Sequence, residues 1–220
     1  MPSDPPSLEW LDQIVEQCCR AHSRLAATVA PLDEDAVRRP SLLPGWRVGH
    51  VLTHLARNAD SFLRMLEGAA AGETLEQYDG GPARRAADID AGAERAAEVI
   101  VADVMDTMGR LEACWRATGP DTWCGEGRTA GSPWPCWTFP HARWREVEVH
   151  HADLGLGYTR ADWPSAYVTL ELPGALGQLP GRLDGPTRAQ LLAWLMGRAE
   201  QPAMTPAAWQ SRPEYYHSSL

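Results

Sequence analysis

The stretch Arg143-Trp144-Arg145-Glu146-Val147-Glu148-Val149-His150-His151-Ala152-Asp153-Leu154 concentrates the groups able to bind a divalent ion or move a proton. On an α-helix each residue turns by about 100°, so with Glu146 at zero His150 falls near 40°, Asp153 near −20° and Arg143 near 60°. Val147 and Leu154 flank that stripe on one side, Val149 and Leu156 on the other. Glu148, His151 and Trp144 point the other way, toward solvent or the following tail. Polar groups therefore sit at the centre of an apolar face, which is costly unless they are paired or hold a metal.

Glu146 and His150 are one turn apart and can reach a single ion. Zinc-type ions take imidazole nitrogen and carboxylate oxygen, and catalytic sites commonly use three protein ligands with one open position. The third ligand should come from a facing helix. Gly49-His50-Val51-Leu52-Thr53-His54 offers two histidines. His54 borders the apolar stripe of Val51, Leu55 and Phe62, whereas His50 lies nearer the first turn, so His54 is the candidate. Spacing alone leaves open a plainer reading, in which Glu146 and His150 are a hydrogen-bonded pair and His54 is a core histidine.

Four helical patterns must position these groups. Residues 8–29 repeat apolar positions at Leu11, Ile14, Cys18, Leu25 and Val29, the spacing of one buried face. A Pro-rich linker over 31–45 has room for one helical turn. A second helix follows Pro44-Gly45, and residues 68–85 form a connection. A third helix is expected from about Ala86 to Thr118 and a fourth from about Phe139 to Leu156. Between these two, residues 119–138 are rich in Gly and Pro and read as a loop, with Trp123, Trp134 and Trp137 able to wall a cavity mouth or fill the core. The fold class expected is mainly α: an antiparallel four-helix bundle over residues 1–157. Residues 158–220 read as a small α/β appendage of one strand (Ala166-Tyr167-Val168-Thr169-Leu170-Glu171-Leu172), one helix and a loop.

Composition narrows the partners. The chain has 220 residues and a formal net charge of −9, and its 20 basic residues are all arginine. With no basic stripe it is a poor match for nucleic acid, whose phosphates supply most of such affinity. No apolar run reaches the length of a membrane span, and the N-terminus lacks a secretory pattern, so a cytoplasmic protein is expected. The five cysteines (18, 19, 114, 124 and 136) are odd in number and lack CxxC spacing, which argues for ordinary buried thiols.

Residues 43–60 (Leu-Pro-Gly-Trp-Arg-Val-Gly-His-Val-Leu-Thr-His-Leu-Ala-Arg-Asn-Ala-Asp) and 145–154 (Arg-Glu-Val-Glu-Val-His-His-Ala-Asp-Leu) together resemble the mycothiol-dependent maleylpyruvate isomerase family, of the DinB-like four-helix superfamily. The resemblance spans about residues 8–157. It implies a divalent metal, usually zinc, on the second-helix histidine and on the Glu and His of the fourth helix. These match His54, Glu146 and His150, the residues that helix geometry selects. It also implies mycothiol as thiol cofactor or co-substrate. In the isomerase reaction the thiolate adds to a cis double bond, the resulting single bond rotates and the thiol is eliminated. A transferase relative would instead conjugate the thiol.

After residue 157 the likeness is confined to Leu-Leu-Ala-Trp-Leu-Met-Gly-Arg (191–198), a shorter C-terminal region than the family's isomerases carry. Asp153 is placed to orient a ligand histidine's second nitrogen. Arg57, Arg143 and Arg198 are candidates to clamp a substrate carboxylate. A metal-dependent hydrolase on the same bundle and a non-catalytic zinc-binding regulator are the competing classes. Thiol-dependent turnover is what separates the three.

Overall fold

A computed structural model describes residues 6–200. These divide into two compact units that meet between Asp162 and Trp163, five residues beyond the expected boundary.

The first unit is built on four long helices, α1 (Leu8–Val29), α3 (Val48–Ala70), α5 (Ala97–Ala117) and α7 (Phe139–Asp153). The short α2 (Glu34–Arg38) interrupts the linker after α1, and α4 (Gly81–Ala93) lies between α3 and α5. Ser7 caps α1 by accepting from the Trp10 amide, and Pro82 and Pro140 open α4 and α7, where a missing N–H costs nothing. Leu25, Val29, Leu52, Leu55, Phe62, Ile100, Val104 and Leu111 are buried between the four helices.

Cross-helix contacts fix the direction of each helix. His22 meets Arg143, Arg24 meets Glu148 and Thr28 meets His151, so α1 and α7 run parallel. His54 meets Glu146, and Phe62 packs on Phe139, so α3 runs against α7. Arg57 pairs with Asp103 and Asp60 with Arg110, so α3 and α5 run parallel. The bundle is thus two parallel pairs set antiparallel to each other. A parallel α3–α5 pair needs a return segment, and α4 supplies it. Running back along α3, α4 brings Arg85 to His54 and Gly92 against Thr53, where an added Cβ would come within 2.3 Å of the methyl.

Three expectations are corrected. The helix expected over 86–118 is two helices, α4 and α5, separated at residues 94–96. Residues 94–96 contain no Gly or Pro, although Gly92 lies in the last turn of α4; α2 holds the break. Arg38 donates to the carbonyls of Ala93, Glu94 and Arg95, and the Glu34 carboxylate accepts from the Ala97 amide at 2.8 Å. The unsatisfied ends of both helices are therefore capped from some sixty residues away.

Residues 119–138 are not only loop. They hold α6 (Pro120–Trp123) and an antiparallel hairpin of β1 (Glu126–Thr129) and β2 (Ser132–Pro135), pairing Gly127 with Trp134. Gly127 lies against Met65 of α3, where a Cβ would approach the sulfur to 2.5 Å. Trp134 packs edge-on to Phe62 and Phe139. Trp123, Trp134 and Trp137 are buried, and the tryptophans of this segment fill core.

The third correction concerns the second unit. The strand expected at 166–172 is part of α8 (Ser165–Gln178), and α9 (Gly185–Leu195) follows, so this unit is helical where described. Alternation over seven residues was a weak sign there, because Ala166, Leu170, Glu171 and Leu172 favour helix. Pro173 within α8 removes one amide donor without ending the helix. Asp184 caps α9 through the Thr187 amide at 2.8 Å. Among the described residues no helix is long and apolar enough to cross a membrane.

Candidate metal centre

His54 on α3 and Glu146 and His150 on α7 converge, with one ligand atom from each lying within 4.8 Å of the other two. All three are buried. His54 Nε2 is 2.9 Å from Glu146 Oε2, and His150 Nε2 is 3.6 Å from the same oxygen. The imidazoles stand edge to face, 4.6 Å apart at 88°. His50 lies outside the group: its Nδ1 meets the Arg47 amide at the start of α3.

Protonation states suit metal binding. Burial pushes His54 well below the ordinary histidine range, outweighing the hydrogen bond to Glu146 that would raise it. Burial would raise Glu146, but the His54 hydrogen bond and the charges of His54, His150 and Arg85 hold it well below the usual carboxylate value. At neutral pH the pair is therefore a neutral imidazole and a carboxylate, the forms that bind metal.

Beyond the three donors, Asp153 Oδ2 lies 2.9 Å from His150 Nδ1. It accepts the Nδ1 proton and leaves the Nε2 lone pair turned toward Glu146, the orientation a ligand histidine needs. Arg85 treats His54 differently. Its guanidinium donates to His54 Nδ1 at 2.9 Å, so His54 carries its proton on Nε2 and donates a hydrogen bond from it to the Glu146 carboxylate. Metal binding through Nε2 would move that proton to Nδ1, and Arg85 would have to release the ring. Two imidazoles and one carboxylate in a buried group fit a zinc-type ion.

Trp46 walls this end of the bundle. Its ring lies 5.8 Å from His54 and 6.1 Å from His50. Its loop is tied to α7 by the Leu42 amide donating to the Asp153 carbonyl at 2.8 Å. Neither Trp46 nor Arg85 was among the sequence candidates. The Pro-Gly turn before α3 was a sign for Trp46, whereas nothing local marks Arg85.

The arginine candidates part company. Arg143 is fully buried, donating to the Leu55 carbonyl at 2.8 Å, to Asn58 Oδ1 at 2.7 Å and to His22 Nε2 at 3.1 Å. It ties α1, α3 and α7 together from inside. Arg57 is paired with Asp60 and Asp103. Arg198 lies exposed in the second unit.

Of the two expectations for the Glu148 face, solvent or the following tail, the structure gives burial, with Tyr158 after α7 and Arg24 of α1 covering it. Glu148 is 1% exposed and accepts from Trp144 Nε1 at 2.8 Å, from Arg24 at 2.5 Å and from the Tyr158 hydroxyl. The Tyr158 ring stacks on His151 at 3.8 Å, so residues after α7 cover this face.

Residues 18–155 match the family model described as the mycothiol maleylpyruvate isomerase N-terminal domain. A crystal structure of the mycothiol-dependent maleylpyruvate isomerase is similar, with 28% identity and a TM-score of 0.69 over 72% of this chain and 66% of that one. A structure of a histidine-to-alanine mutant of that isomerase matches at 27% identity and a TM-score of 0.68 over the same shares. The chain thus spans just under two thirds of the length of those structures. No curated protein sequence matches. The match over most of the helical unit and the likeness to these structures agree: the chain belongs to the mycothiol maleylpyruvate isomerase family, through that family's N-terminal domain.

Proposed function

We propose that this protein is a metal-dependent enzyme that uses mycothiol, or a similar small thiol, to isomerise or conjugate a small unsaturated or electrophilic substrate. The observation that carries the reading is the convergence of His54, Glu146 and His150 at one end of the bundle. Those three residues would hold the ion. A zinc-type ion bound there would act as a Lewis acid, lowering the pKa of a coordinated thiol toward neutrality.

The protein's own groups prepare the site. Asp153 fixes the His150 tautomer, and burial keeps His54 neutral. Trp46 shields the two imidazoles of α3 from water on the loop side. Addition of a thiolate to a conjugated cis double bond, rotation and elimination need no further acid or base on the carbon being attacked. The triad serves isomerase and transferase chemistry alike.

Metal analysis of the purified protein, followed by turnover assays with and without mycothiol against unsaturated acids and other electrophiles, tests the reading. One equivalent of metal with thiol-dependent turnover is expected. Turnover independent of thiol would favour a hydrolase, and bound metal without any turnover a regulator. Either result would overturn the proposal.

A further inference from the structure

Arg143 on α7 is 0% exposed, and a guanidinium keeps its charge even there. Among the described residues no carboxylate pairs with it. Its acceptors are the Leu55 carbonyl, Asn58 Oδ1 and His22 Nε2, all neutral, and its Nη2 meets no acceptor. The nearby anions are occupied elsewhere. Glu112 lies on the far side of the His22 ring, where it meets Nδ1 at 3.0 Å and pairs with Arg116. Asp60 pairs with Arg57 and Arg110. Burial keeps the Cys18 thiol in its neutral form. The anion left to Arg143 is Glu146, one turn further along α7, whose partners are the imidazoles of His54 and His150.

A charge buried without a counter-charge is expensive, and an apolar side chain of similar volume would spare the cost. Stability therefore does not account for Arg143, whereas a fixed positive field beside the triad does. Arg85 brings a second positive charge to the site, but metal binding through His54 Nε2 displaces it from the ring. Arg143 stays, because its bonds to α1 and α3 do not involve the triad. A divalent ion on two neutral imidazoles and one carboxylate already leaves one excess positive charge. Arg143 raises that excess in a low-dielectric interior, where charge interactions are strong.

We propose that Arg143 is a positioning residue of the metal centre that acts through its charge, weakening the hold on the divalent cation and biasing the ion's open position toward an anionic ligand such as a thiolate. The inference deepens the function proposed above and rests on its assignment of the metal ligands. At the separation of one helical turn, a unit charge inside a protein shifts an equilibrium that moves another charge by about tenfold or more.

Two affinities of the full-length protein test this: zinc, by competition with a chromophoric chelator, and thiocyanate on the cobalt-substituted form, by visible absorption. Arg143→Met should bind zinc about tenfold more tightly and thiocyanate about tenfold more weakly than the wild type. Arg143→Lys keeps the charge and should stay within about threefold in both. Asn58→Asp sets a carboxylate on Arg143 without a change of shape and should move both affinities in the same directions as Arg143→Met. It also keeps the test decisive if Arg143→Met does not fold, which circular dichroism reports. A purely structural role for Arg143 would make zinc binding weaker, never tighter. Zinc affinity unchanged or weakened in the folded variants Arg143→Met and Asn58→Asp would overturn the proposal while leaving metal and thiol dependence intact. A wild type that binds no zinc would overturn it together with the function on which it rests.

Discussion

Replacing Glu146 and Glu148 by glutamine, one at a time, should separate two buried carboxylates that sit two residues apart on α7. They lie about 200° apart around the helix, and the structure gives them different partners. Glu146 faces His54 and His150; Glu148 faces Arg24, Trp144 and Tyr158. Glu146→Gln removes the only anionic donor of the triad. Loss of a group that merely orients a ligand costs about 10–100-fold in metal affinity, so loss of the charged ligand should cost roughly a hundredfold or more.

Glu148→Gln should leave zinc affinity within about twofold and lower stability instead. It takes the negative charge out of three bonds, those donated by Arg24, Trp144 and Tyr158, at roughly 1 kcal/mol each or less. Arg24 is 35% exposed, so water recovers part of that, and a net loss of about 1–2 kcal/mol is expected. For a unit of this size that is about 2–8 °C in melting temperature. Zinc titration by competition with a chromophoric chelator and thermal melts of the metal-free variants measure both effects. Equal zinc affinities in the two variants, or a larger loss at Glu148, would refute the assignment of the faces of α7.

Other outcomes follow from the same contacts. His54→Ala and His150→Ala should each abolish stoichiometric zinc by elemental analysis while far-UV circular dichroism keeps most of its helical signal, because the apolar stripes of α1, α3, α5 and α7 remain. Arg38→Ala should destabilise the first unit by about 2 kcal/mol in urea unfolding, since three carbonyls at the α4–α5 break lose their donor; an unchanged midpoint would show the break to be self-supporting. His22 gives a pH dependence. Burial, helped by the charge of Arg143 and opposed by Glu112, lowers it to about 4. The unfolded chain, with a histidine value near 6.5, therefore takes up the proton first. The contribution is complete above about pH 6.5 and is lost as pH falls toward 4, roughly 2 kcal/mol of it by pH 4.5. His22→Gln should flatten the fall in stability between pH 6.5 and 4.5 by about one proton, and an unaltered slope would assign the loss to other groups.

The triad was legible because the helical period is enough to place it. Polar residues at Glu146 and His150 interrupt an apolar stripe, and His54 borders the stripe of a second helix. What the period could not show was everything supplied across the bundle. The α4–α5 break is held by Arg38 and Glu34, whose caps lie far away in sequence, so an uninterrupted pattern from 86 to 118 was the natural local reading. Arg85 reaches His54 because α4 runs back along α3, a consequence of the parallel α3–α5 pair that no local pattern announces. The short alternation at 166–172 has the period of a strand, but its composition favours helix, and α8 forms there.

Glu148 shows why one-face reasoning fails for α7. A helix with a single buried face can leave its other charges in water. Yet α7 packs on α1 and α3, and Tyr158 returns to close a further side, so Arg143, Glu146, Glu148, His150 and His151 are all buried. Charges buried on every side of one helix must each find a partner. Arg143 bridges three helices, Glu148 gathers three donors, and His151 has Thr28 and the Tyr158 ring. Glu146 and His150 are the two whose partner set points at a common centre, completed by His54 from α3. What distinguishes the candidate metal ligands on this helix is therefore not burial or residue type, which His141, Glu148 and His151 share with them, but convergence on one point.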